Sequence, residues 1–144
     1  MTRDEVLGLK PGRELDALVA EKVMMYEKIH PHTQCTSLDI SKHYYYVKEH
    51  EDELTRYKGV YALIYCEDGW YPLEFSPSTD ISAAWEVAEQ LQKQGYVVCI
   101  ELLPYEETSV GVYEADPANQ IAYAKSNKPA GAIAKAALLA VMEL

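Results

Sequence analysis

Residues 129–144, PAGAIAKAALLAVMEL, put alanine, leucine, isoleucine and valine on every side of a would-be helix, interrupted by Lys135 and Glu143. A helix that is apolar almost all round must be mostly buried. Whatever else the chain makes has to cover it. A length of 144 residues gives room for one domain with a real core, and too little for two comfortable ones. The whole span 1–144 is therefore expected to be a single domain.

The remaining elements read as cover for that helix. Thr2-Arg3-Asp4-Glu5 has the form of a capping box and should start a short helix that Pro11-Gly12 ends. A second helix is expected in GRELDALVAEKVMMYEK, residues 12–28, with Leu15, Leu18, Val19 and Val23 on one stripe. Residues 30–41 carry loop signals, and Tyr44–Val47 read as a short strand. GVYALIYC, an Asp68-Gly69 turn and WYPLEF predict a β-hairpin over 59–75, with Pro72 marking an edge or a bulge. In residues 77–95, Ser78, Thr79 and Asp80 offer caps, and Ile81, Ala84, Trp85, Ala88 and Leu91 repeat at helical spacing before Gly95. YVVCIEL and SVGVYEA predict two further strands, and 116–128 reads as a polar connection. The order predicts an α+β layered sandwich, with an antiparallel or mixed sheet of about four strands covered by helices.

Charge and cysteine usage narrow the function. The net charge of −10 argues against a nucleic acid polymer as partner, because phosphate neutralisation needs a basic surface. It leaves room for a small anion or a basic protein face. No stretch approaches the roughly 18 unbroken apolar residues of a membrane span, so no membrane partner is expected. MTRDEV opens directly into charged sequence, so no signal peptide is expected. Three widely spaced cysteines favour reduced thiols and a cytoplasmic setting.

PGRELDALVAEKVM at 11–24 and FSPSTDISAAWEVAEQL at 75–91 resemble the two hallmark blocks of the phage ABA sandwich domain family, and AKAALLAV at 134–141 resembles its closing helix. The resemblance implies a sheet between helical layers, a phage or prophage origin and hence a bacterial host cell. It brings no settled activity, so no catalytic residue carries over. It also says nothing of an inserted Tyr/Lys-rich segment at about 25–58.

That insert holds the candidate site. The chain uses twelve tyrosines and one phenylalanine. Three of the tyrosines, Tyr44, Tyr45 and Tyr46, stand among Lys42, His43, Lys48, Arg56 and Lys58. Tyrosine gives a flat stacking face and a hydroxyl tip, and basic side chains beside it can meet phosphate. Tyr61, Tyr65, Trp70 and Tyr71 add rings on neighbouring strands. Together these residues suit a pocket for a nucleotide-like ligand. The same pattern also suits a half-buried strand packed with tyrosines whose lysines keep an edge soluble.

Other chemistry is thinner. SPSTD leaves amide donors at a helix start, but Asp80 fills that cap itself. His30-Pro31-His32 with Cys35 has a metal-like look, yet lacks a second ligand pair at zinc spacing, so no metal is expected. Cys66 and Cys99 sit in strand patterns and read as small buried hydrophobes. There is no G-x-S-x-G, phosphate-binding glycine loop or paired-carboxylate signature.

Binding is therefore expected over catalysis, with no cofactor. The first reading is a phage anti-defence protein that sequesters a host nucleotide immune signal, of the cyclic ADP-ribose or cyclic oligonucleotide type, without cleaving it. A homo-oligomer would suit it. The alternatives are an acidic inhibitor of a host defence enzyme, a phage accessory protein with no small-molecule ligand, and a nucleotide-cleaving enzyme with His43 or His50 as general base.

Overall fold

In the computed structural model, which describes residues 1–49, 58–67, 69–115 and 118–143, the first turn is capped as its residues dictate. The Thr2 hydroxyl accepts from the Glu5 amide at 3.2 Å, and the Glu5 carboxylate accepts from the Thr2 amide at 2.8 Å. Helix α1 (Arg3–Leu7) follows. Helix α2 (Arg13–Leu18) continues into a π-helical turn (Val19–Val23) and buries Leu15, Val19, Ala20 and Val23. The helix stops short of the Lys28 expected from its periodicity. Met25 takes a left-handed φ of 61°, which reverses the chain as a helix terminator does. Glu27–Lys28 then forms β1.

Strands β2 (Tyr44–Lys48), β3 (Gly59–Cys66) and β4 (Gly69–Glu74) complete a mixed four-stranded sheet in the order β1-β2-β3-β4. The expected hairpin is β3–β4, paired antiparallel from Tyr61–Glu74 to Cys66–Gly69. Helix α3 (Ile81–Lys93) takes Asp80 as its cap, whose carboxylate accepts from the Ser82 amide at 3.1 Å. It ends at Gly95, whose φ of 96° favours a residue without a Cβ. The stripe read from the sequence is rotated, however. Ala83, Ala84, Val87, Ala88 and Leu91 face the core, and Ile81 and Trp85 are left exposed.

Residues 96–126 make a second, antiparallel sheet of β5 (Tyr96–Leu103), β6 (Glu107–Ala115) and β7 (Ala118–Ser126). Strand β7 lies in the stretch read as a polar connection. Its inward residues Ala122 and Ala124 stand opposite Val112 and Val110. Helix α4 (Pro129–Val141) packs on β6 and β7 with one side, and on α1, α2, α3 and the π-helical turn with the others. Helix α2 in turn packs on β3. The α+β layered sandwich is thus present. Where the resemblance implied a sheet between helical layers, the helices here are themselves flanked by two sheets.

Ten consecutive-turn residues of α4, from Ala130 to Ala140 with Lys135 excepted, are buried. The Lys135 ammonium escapes by donating to the Leu7 carbonyl at 2.9 Å, which satisfies an orphan acceptor at the end of α1. The SPSTD block ties α2 to α3. The Ser78 amide donates to Asp16 Oδ1 at 2.8 Å, and the Gly12 amide donates to Ser78 Oγ at 2.9 Å. Asp16 and Ser78 are both buried, and burial pushes the Asp16 carboxyl up while the Ser78 hydrogen bonds pull it down. The cysteines correct an expectation. Cys66 and Cys99, like Cys35, are free and exposed: Cys66 ends β3 beside the hairpin turn, and Cys99 alternates with Val98 and Ile100, which pack on the core.

Candidate functional site

Alternation along a strand decides which tyrosines can act together. In register, Tyr44 stands opposite Leu63, Tyr46 opposite Tyr61, and Tyr65 opposite Trp70. All of these side chains share the face of the four-stranded sheet turned away from the helices, and Lys48 stands on it too. Tyr46 stacks on Tyr61 with ring centroids 5.3 Å apart at 12°. Trp70 takes the edges of Tyr44 at 5.5 Å and Tyr65 at 5.2 Å. Such pairs contribute roughly 0.5–1.5 kcal/mol beyond their burial, but the rings are not equally accessible. Tyr44 and Tyr61, both expected at the site, are buried, Tyr46 and Trp70 are half-buried, and Tyr65 is exposed.

Tyr45 does not join them. It is 1% exposed, points into the core, and its hydroxyl donates to Glu21 Oε2 at 3.4 Å. Burial first, then the Glu21 charge and hydrogen bond, push its phenol up to about 12. His43 is on that same side, 5.8 Å from the Tyr26 ring, which also meets Phe75 at 5.8 Å. Burial and the Glu86 charge push the Tyr26 phenol up. Tyr71 falls on the helix-facing side as well, toward the exposed end of the hairpin.

The basic residues are less concentrated than the rings. Lys42 pairs with Glu27 at 3.2 Å. That hydrogen bond, then the Glu27 and Tyr44 charges, hold its ammonium above the ordinary lysine value. Both partners are exposed, where such a pair contributes little. Lys58 is exposed just before β3. Arg56, with Tyr57 and His50, lies outside the described residues.

A groove of about 300 Å³ opens where the rings meet the 35–40 loop, lined by Cys35, Thr36, Leu38, Ile40, Tyr65, Gly69 and Trp70. The loop is built to stay there. Ser41 donates to Asp39 Oδ1 through its amide at 2.9 Å and its hydroxyl at 2.7 Å, and these bonds, with the Lys42 charge behind them, hold the Asp39 carboxyl below its usual range. The Asp39 amide donates to the Tyr44 hydroxyl at 3.0 Å. Tyr44 therefore carries the loop on its tip and Trp70 on its ring. Replacing Tyr44 with phenylalanine is expected to cost about 1 kcal/mol and to speed amide exchange at Asp39–Ser41, while near-ultraviolet dichroism from Trp70 persists.

Of the four loop residues of this groove, only Cys35 was singled out in the sequence, and as a candidate metal ligand rather than as a groove wall. The signal was present in Leu38 and Ile40, two apolar side chains inside an otherwise polar run. His30 and His32 lie 5.3 Å apart ring to ring, but among the described residues no three histidine, cysteine or carboxylate side chains gather as a metal site would need. Nor, among them, is any helix long and apolar enough to cross a membrane.

A family model described as the phage ABA sandwich domain matches residues 17–138. No curated protein and no solved structure matches the chain.

Proposed function

The chain belongs to the phage ABA sandwich domain family, and from that premise we propose that it is a phage binding protein which sequesters a nucleotide-derived immune signal of the bacterial host without cleaving it. The observation that carries this reading is the aromatic face. Tyr44, Tyr46, Tyr61, Tyr65 and Trp70 lie on one side of one sheet, and Tyr65 and Trp70 form the wall of a groove. A groove of about 300 Å³ is at the lower limit for a small-molecule site. It suits a single flat heteroaromatic ring held against Tyr65 and Trp70. Lys42, which precedes β2 and pairs with Glu27, and Lys48, at the far end of β2 on that face, are described cations that a phosphate would meet.

Binding rather than turnover is supported by the lining itself. Among the described residues, a thiol, a hydroxyl, two aliphatic side chains and two rings supply contacts, with no histidine or carboxylate in the lining. Stacking of a base on an aromatic side chain contributes about 1–3 kcal/mol, so Trp70→Ala is expected to weaken the complex by about ten- to a hundredfold. Isothermal calorimetry against cyclic ADP-ribose isomers and cyclic oligonucleotides provides the test. One of them should bind with micromolar affinity or better, bind more weakly to Trp70→Ala, and be recovered intact after heating. Absence of heat with every member, or recovery of a cleaved product, would defeat the proposal.

A further inference from the structure

We propose that the chain pairs with a second copy of itself through β5, joining two three-stranded sheets into one continuous sheet. This surface is on the other sheet from the aromatic face, so the inference stands apart from the nucleotide reading. Strand β5 is the outer member of the β5-β6-β7 sheet, and among the described residues no strand meets its other edge. An edge of this kind presents a row of backbone donors and acceptors that natural proteins usually blunt. The other edges are blunted. Strand β1 is two residues long, β4 contains Pro72, and β7 carries Lys125 and borders a register shift at Val112/Tyr113. Strand β5 has eight residues, no proline, no register shift and a single charge, Glu101.

The side chains beside this edge are apolar and uncovered. Leu102 is 77% exposed, Val97 45% and Trp85 55%. Between α3 and β5 lies a groove of about 430 Å³, with Trp85, Ala88, Tyr96, Val98 and Ile100 among its walls. One antiparallel register about a two-fold axis at Cys99 accounts for all of this. It sets Ile100 opposite the second copy's Val98, and Leu102 opposite the second copy's Tyr96. The exposed Leu102 of each copy then lands at the mouth of the other's groove, on the same face of the merged sheet.

Charge selects the same arrangement. Each Glu101 falls opposite Val97 of the second copy. The two carboxylates are then on the order of 14 Å apart along the strands, four residue steps of about 3.4 Å. That exceeds the Debye length of about 8 Å at physiological ionic strength, so the acidic chains do not repel at the seam. A pairing centred two residues later would put Glu101 against itself.

Sedimentation equilibrium of the full chain across micromolar concentrations tests the pairing. The expected mass is twice the 16.3 kDa monomer. Leu102→Lys and Val97→Glu should each weaken association by at least about tenfold, since the first forces a charge into the apolar groove and the second sets a carboxylate directly against Glu101 of the second copy, with far-ultraviolet dichroism unchanged. Opposed Cys99 side chains should also form an intermolecular disulfide when an added copper–phenanthroline oxidant takes the two electrons and the thiols release their two protons. That cross-link should vanish in Cys99→Ser and persist in the Cys35→Ser, Cys66→Ser double variant. A monomer at every concentration, a dimer that survives both Leu102→Lys and Val97→Glu, or cross-linking through Cys35 or Cys66 in place of Cys99 would overturn the proposal.

Discussion

Leu138→Ala is expected to lower the unfolding free energy by about 2–5 kcal/mol, the range for emptying a fully enclosed leucine site. At about 3 °C per kcal/mol for a chain of this size, the melting temperature should fall by roughly 10 °C. Leu138 is 0% exposed and sits on α4, which is packed on both sides. Neighbours fixed between β6, β7 and the other helices have little freedom to collapse into the void. Lys135→Met provides the contrast, because it loses only the 2.9 Å bond to Leu7 and should cost about 1 kcal/mol. Chemical denaturation of the three proteins checks both values. Equal losses at the two positions would mean that α4 is not enclosed as described.

Asp16→Ala is expected to cost about 1–3 kcal/mol, because it strands the buried Ser78 amide that now donates to Asp16 Oδ1 at 2.8 Å. The pH dependence separates this carboxylate from the others. Burial raises its folded-state pKa above the ordinary 3.8, against the pull of the Ser78 hydrogen bonds. Its contribution is therefore fully present below the unfolded value and is lost as pH rises through the folded one. Asp16→Asn keeps an acceptor without the charge. The stability of wild type relative to Asp16→Asn should accordingly improve as pH falls from neutral toward 4. Melting curves of the pair across that interval provide the measurement, and a difference that is flat or of opposite slope would contradict the burial of an ionised Asp16.

The parts of the fold written by local chemistry were legible in the sequence. The capping box at Thr2–Glu5 and the Asp80 cap with Gly95 announced α1 and α3. Strict alternation announced the β3–β4 hairpin, with Asp68 at its turn outside the described residues. What was missed depends on partners distant in sequence. ANQIAYAKS forms β7 although alanine is a poor strand residue, because small Ala122 and Ala124 suit the face on which α4 lies. Trp85 kept helical spacing with the stripe, yet α4 and β5 set which face of α3 is covered, and Trp85 lies outside it.

The candidate site was legible in composition and less so in geometry. Tyr44, Tyr46, Tyr61, Tyr65 and Trp70 fall on one face, as a period of two allows. The same period sends Tyr45 to the core, so three adjacent tyrosines could never act as one surface. Lys42 found Glu27 by virtue of the parallel β1–β2 pairing, a contact that no local pattern announces.

The placement of α4 also bears on synthesis. Every surface it covers precedes it in chain order, whatever follows residue 144. During vectorial emergence from the ribosome, β6, β7, α2 and α3 are complete while their shared apolar lid is still untranslated. Long-range closure of this kind folds slowly and leaves sticky intermediates in the meantime. Nascent chains arrested before Pro129 should therefore be held by chaperones, and release should follow as soon as residues 129–141 clear the exit tunnel.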